Sequence, residues 1–69
     1  MDFTDAQLEL IKQLGKATIQ ELVRDYNKIL NNQMTGSQFW EILNTKVSRD
    51  KVRDLLILVR TIHNDLTKL

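Results

Sequence analysis

The stretch DLLILVR, residues 54–60, is the part of the sequence that says most about the fold. It holds five apolar residues in a row, and in a helix five consecutive residues point all the way round the axis. At about 100° per residue, most of them still join one wide apolar arc, and only Ile57 lies opposite it. Such a wide face predicts a helix that packs against several others. The arc contains Val52, Leu55, Leu56, Leu58, Val59, Ile62, His63, Leu66 and Leu69.

Three further helices are predicted from their start signals. Each begins at a threonine followed three residues later by Gln or Glu, the pattern of a capping box. These pairs are Thr4 with Gln7, Thr18 with Glu21, and Thr35 with Gln38. Ser48 is the expected start of the fourth helix. The predicted helices lie near residues 5–14, 19–31, 36–46 and 49–67.

Apolar residues recur at helical spacing after each start. In the first helix we assign Leu8 to the inward face, stapled to Phe3. In the third, Trp40 stands at the edge of the face. The sequence therefore predicts one all-α domain over residues 1–69, a compact four-helix fold with the last helix at its centre. A bundle and a helix-turn-helix-like arrangement both fit this pattern.

Length and composition limit what can stabilise this domain. A chain of 69 residues buries only about 60% of the surface that its unfolded form exposes. Cysteine is absent and His63 is the single histidine, so we expect no disulfide, no metal site and no cofactor. Self-association, as a homodimer, is the expected additional source of stability.

Hydropathy and charge indicate a soluble protein. The longest apolar run has five residues, far below the roughly 20 that span a bilayer. The acidic start MDFTDAQ does not resemble a secretory signal, and we expect a cytoplasmic protein without membrane association. Residues 1–45 carry four basic and six acidic groups, whereas residues 46–69 carry six basic and three acidic ones. This asymmetry indicates an interaction face in the last third of the chain.

The outer side of the fourth helix is the predicted partner-binding surface. Ile57 stands there among arginines, whose planar donors suit protein contacts. The plainer interpretation is a solvated face with one exposed isoleucine, which is common. The candidate residues are Arg49, Arg53, Ile57, Arg60 and Asn64, together with Trp40.

Two other residues allow a functional and a plain interpretation. Trp40 could be a contact hot spot or stack on a base, but core packing with the indole at the rim is the commoner role. His63 could respond to pH, but a packed neutral histidine is the commoner case.

Catalytic signals are weak, and we expect neither an enzyme nor a small-molecule substrate. Ser37 and Ser48 both stand at helix starts and lack an accompanying base. Gly15 and Gly36 stand alone, so no glycine-rich phosphate loop is present.

The sequence thus predicts a small regulatory or adaptor module that binds another protein or itself. The alternative is a small dimeric DNA-binding regulator with a helix-turn-helix-like fold. The connection NNQMTGS, residues 31–37, is longer than the usual tight turn, which weakens that alternative. Its phosphate contacts would come from Lys46, Arg49, Arg53 and Arg60.

Overall fold

The structure is a computed structural model, and it describes residues 3–67. These residues form four α-helices and one short 3₁₀ turn, without a strand among them. The all-α fold class is therefore confirmed. The helices are α1 (Asp5–Leu14), α2 (Lys16–Leu30), α3 (Gly36–Lys46) and α4 (Val52–Thr67), and the 3₁₀ turn is Arg49–Lys51.

Two of the three predicted capping boxes are present. At the start of α1, the Gln7 N–H donates to Thr4 Oγ1 (3.2 Å) and the Thr4 N–H donates to Gln7 Oε1 (3.0 Å). The same reciprocal pair joins Thr35 and Gln38 at the start of α3, at 3.1 and 3.0 Å. Each box satisfies two backbone donors, and this is why both helices begin where the sequence predicts.

The predicted start of the second helix is wrong. Thr18 does not cap it, since α2 already begins at Lys16 with Gly15 as its N-cap. Gly15 has φ 86° and ψ 155°, a conformation that essentially only glycine adopts. Its N–H donates to the Ile11 carbonyl while its own carbonyl accepts from Ile19 N–H. One residue therefore ends α1 and begins α2, and no capping side chain is needed.

The fourth helix has a tighter entry than predicted. Ser48 precedes it, but residues 49–51 form a 3₁₀ turn in which the Lys51 N–H donates to the Ser48 carbonyl. The Ser48 hydroxyl donates to Asp50 Oδ1 (2.6 Å) and does not cap the backbone. The regular α-helix then begins at Val52 and not at residue 49.

The core lies around α4, as predicted. This helix contacts each of the other three, and most extensively α2. The described part of the molecule measures 32 × 31 × 18 Å. The buried apolar residues are Leu10, Ile19, Leu22, Val23, Phe39, Leu43, Val47, Val52, Leu55, Leu58 and Val59.

Two expected members of the apolar faces are exposed. Leu8 is 46% exposed, because it lies about 120° round α1 from the inward side. Phe3 packs against the core instead. Leu66 is 56% exposed in the last turn of α4. Leu69, also assigned to that arc, lies outside the described residues.

Candidate interaction surface

Ile57 lies on the outside of α4, where the sequence placed it. The buried residues of this helix, such as Leu55 and Val59, face the core, and Ile57 is left 46% exposed. Arg53 and Arg60 lie one turn before and after it, and both are exposed. We name this surface the α4 flank; it consists of Arg49, Arg53, Ile57, Arg60 and Asn64, all exposed.

A shallow depression marks the middle of the α4 flank. It has a volume of about 170 Å³ and is lined by Ile57, Arg60, Thr61 and Asn64. The Thr61 hydroxyl donates to the Ile57 carbonyl (2.8 Å), so its proton is used by the helix backbone and its oxygen remains an acceptor. Pockets for small ligands usually measure about 300–1,000 Å³, and this depression is smaller. Its size suits one side chain of a partner.

The arginines of the flank take part in no ion pair within residues 3–67, where the single salt bridge joins Lys28 to Asp25 (3.7 Å). Asp50 is the carboxylate beside Arg49. The hydrogen bond from Ser48 and the backbone N–H of Asp50 hold the pKa of its carboxyl below the usual value, with a smaller contribution from the Lys51 charge. Three of the five flank residues are arginines, and the exposed carboxylates of Asp50 and Asp54 lie beside them.

Trp40 is not packed in the core, which was the commoner interpretation of its position. It is 44% exposed, whereas Phe39 and Leu43 on the same helix are buried. The reason is that Trp40 lies about 100° round α3 from Phe39, at the margin of the packed side. It does not line the depression beside Ile57. The structure leaves it as a separate exposed aromatic surface.

His63 is a packed residue of the α2–α4 contact. It is 8% exposed, and its ring meets Tyr26 edge-on at 5.1 Å between centroids. Its Nε2 lies 3.3 Å from Asn27 Oδ1, and this hydrogen bond requires a proton on Nε2 because an amide oxygen only accepts. These contacts give His63 a role in packing, the plainer of its two interpretations.

The four basic residues of the nucleic-acid alternative are all exposed, but they are spread over three elements. Lys46 ends α3, Arg49 lies in the 3₁₀ turn, and Arg53 and Arg60 lie on α4. The two arginines of α4 are seven residues apart, which corresponds to about 10 Å along the axis. The set forms an elongated basic surface and not a compact anion site.

The larger depressions lie elsewhere, around Met34. Two open depressions of about 450 and 570 Å³ share Gln33, Met34 and Gln38. Among the described residues, Glu41 is the single charged side chain that lines them. Thr45 also lines the larger of the two, and its hydroxyl donates to the Ile42 carbonyl (2.6 Å).

Within residues 3–67, no three His, Cys, Asp or Glu side chains come together as a metal site would require. None of the helices in that range has the length and apolar composition needed to cross a bilayer. The sequence had missed the exposure of Leu8 and Leu66. For Leu66, the available signal was its position in the last turn of the predicted helix.

A scan against protein-family models finds no matching family, and searches of curated proteins and of solved structures find no match. No relative therefore bears on the function, which has to be argued from the surfaces of the molecule.

Proposed function

We propose that this protein is a small non-enzymatic regulatory or adaptor module that binds another protein, or a second copy of itself, through the α4 flank. One observation carries the proposal: Ile57 is 46% exposed in the middle of a helix, with exposed arginines on either side. An apolar anchor inside a polar rim is the usual arrangement of a binding hot spot.

The interaction would combine an apolar contact with charge steering. Ile57 would enter a pocket on the partner, and Asn64 would hydrogen-bond at its edge. Arg53 and Arg60 would face carboxylates, to which guanidinium groups bind in a planar two-point geometry. A second copy suits this domain because a small core gains stability from association.

Replacement of Ile57 by Asp tests the proposal. We expect the variant to remain folded, because the side chain is half exposed, but to associate at least about 30-fold more weakly, as for a hot spot of about 2 kcal/mol. The measurement is the molar mass by light scattering over a range of protein concentrations, with circular dichroism as the check on folding.

Leu8→Asp is the matched control. Leu8 has the same 46% exposure and receives the same charge, but it belongs to α1 and not to the flank. This variant should associate like the wild type. Equal association of the Ile57→Asp variant would exclude a second copy as the partner of the α4 flank. Unfolding of the variant would contradict the proposal as a whole, since Ile57 would then be needed for the core.

DNA binding is the second candidate, because Lys46, Arg49, Arg53 and Arg60 are all exposed. Here the Arg49→Ala/Arg53→Ala double variant should bind duplex DNA more weakly. It should also lower the slope of log affinity against log salt by about 0.9 for each phosphate that is no longer neutralised. Fluorescence anisotropy at several salt concentrations measures both quantities.

The control for the DNA experiment is Lys12→Ala/Arg24→Ala, which removes the same charge from other helices. DNA affinity that is unchanged in the Arg49/Arg53 double variant, or equally reduced in the control, would exclude this surface as the DNA site.

A further inference from the structure

A second candidate surface lies across α4 from Ile57, in a groove between α1, α2 and α4. Two depressions, of about 270 and 210 Å³, share Ile19, Gln20 and Ile62 and therefore form one continuous groove. Leu66 borders it, nine residues after Ile57 and thus about 180° round the helix. We name it the α2–α4 groove. It is separate from the α4 flank.

The floor of the α2–α4 groove is apolar. Ile19 and Val23 are buried members of the core, and Ile62 packs against them from α4. Leu66 remains 56% exposed at one end, and Ile11 lines the other end. The core therefore extends to the surface here, and a partner that covered this floor would remove apolar area from water.

One wall of the groove is basic. Lys16, Gln20 and Arg24 lie four residues apart on α2, so that they form a row along one side of that helix. Among the residues that the structure describes, no carboxylate lines either depression. Within residues 3–67, neither Lys16 nor Arg24 is part of an ion pair. Eight residues separate these two cations, which corresponds to about 12 Å along α2.

We propose that the α2–α4 groove binds an acidic amphipathic helix of another protein. A helix laid along α2 would place apolar side chains on Ile19, Ile62 and Leu66. Carboxylates about seven or eight residues apart on that helix would face Lys16 and Arg24, since both helices rise about 1.5 Å per residue. Carboxylates at this spacing lie on the same side of the partner helix as the apolar residues between them.

A second copy of this chain does not supply such a helix. In α1 the carboxylates Asp5 and Glu9 are four residues apart, and in α2 Glu21 and Asp25 have the same spacing. α3 has a single one, and the two of α4, Asp54 and Asp65, are eleven apart. No helix in residues 3–67 therefore carries two carboxylates seven or eight residues apart. The charge pattern of the groove indicates a different protein.

The test is a titration of the full-length ¹⁵N-labelled protein with a synthetic helical peptide, followed by amide chemical shifts. The peptide has two glutamates about eight residues apart with leucines between them, and its control has glutamines in place of the glutamates. We expect shifts concentrated at Ile19, Val23, Ile62 and Leu66, and roughly tenfold weaker binding of the control peptide.

Charge exchange makes the test specific. The Lys16→Glu/Arg24→Glu variant should bind the glutamate peptide at least about tenfold more weakly than the wild type does. It should bind more tightly to a peptide in which lysines replace the two glutamates. The Ile57→Asp variant should bind like the wild type, which separates this groove from the α4 flank. Both variants change exposed residues, so their helical circular dichroism should be retained.

Four results would overturn the proposal. The first two are the absence of chemical-shift changes at a peptide concentration of about 1 mM, and changes confined to the α4 flank. The other two are equal affinity of the glutamate and glutamine peptides, and equal affinity of the wild type and the charge-reversed variant for the glutamate peptide. Dilution of the protein alone provides a further check. Groove shifts that change on dilution without peptide would identify a second copy as the occupant and would also overturn the proposal.

Discussion

Ser48 and Asp50 show how one hydroxyl shapes the entry to α4. The sequence marks Ser48 as a helix start, but its hydroxyl bonds to the Asp50 carboxylate, and the chain passes through a 3₁₀ turn before α4 begins. The bond stabilises the ionised form of Asp50 and lowers its pKa. Its contribution to stability is complete above the ordinary aspartate pKa and is lost as the pH falls through the lowered pKa of the folded state.

Ser48→Ala should therefore raise the pKa of Asp50 toward the ordinary aspartate value of 3.8, because the largest cause of the lowering is removed. The carboxyl ¹³C shift of Asp50 as a function of pH measures this change. Thr61→Ala is the control, since that hydroxyl bonds to a backbone carbonyl and not to a carboxylate. An Asp50 titration midpoint that is equal in the wild type and in Ser48→Ala would show that the Ser48 hydroxyl bond does not lower the pKa of Asp50 in solution.

At the scale of the helix, the connections depend on local backbone chemistry. The two threonine capping boxes that form, at Thr4 and Thr35, were predictable because each is a reciprocal bond between residues three apart. Thr18 has the same pattern but lies inside α2. There Gly15, directly after the predicted end of the first helix at residue 14, has positive φ and also serves as the N-cap of α2, so that α2 begins two residues before Thr18.

Gly15→Ala should destabilise the protein by about 1–3 kcal/mol, because alanine is strained at φ 86° and ψ 155°. The cost is in the backbone alone, since an added Cβ meets no atom within 4 Å. Gly36→Ala is the matched control. Gly36 also has open space around it, but it lies in the first turn of α3 without a positive φ, so alanine should stabilise by about 0.5–1 kcal/mol.

Urea unfolding of these two glycine variants gives both free energies. A loss at Gly36→Ala equal to that at Gly15→Ala would show that the positive φ of Gly15 is not the cause.

At the scale of the whole molecule, the apolar residues that join the core are those on the part of each helix that another helix covers. Leu55 and Leu66 belong to the same predicted arc of α4, yet Leu55 is fully buried and Leu66 is 56% exposed. His63, three residues before Leu66, is still buried, so the cover over α4 ends within its last turn. A 69-residue domain has a total stability of only about 3–10 kcal/mol, so one core position can decide whether it folds.

Leu55→Ala should cost about 2–5 kcal/mol, from the transfer free energy of the deleted methyl groups and the cavity left behind, and a large fraction of the chains should unfold. Leu66→Ala should change the free energy of unfolding by less than about 0.5 kcal/mol. Thermal and urea unfolding of the two variants measure the difference. Equal losses at both positions would mean that the last turn of α4 is covered in solution.

The sequence by itself determined the all-α class, the positions of α1 and α3, the central place of α4 and the exposure of Ile57. Each follows from bonds or periodicities within about one helical turn. Only the tertiary structure decided which part of the apolar arc of α4 is covered, the exposure of Leu66 and the α2–α4 groove with its apolar floor. These depend on which helices come together, and residues far apart in the chain determine that.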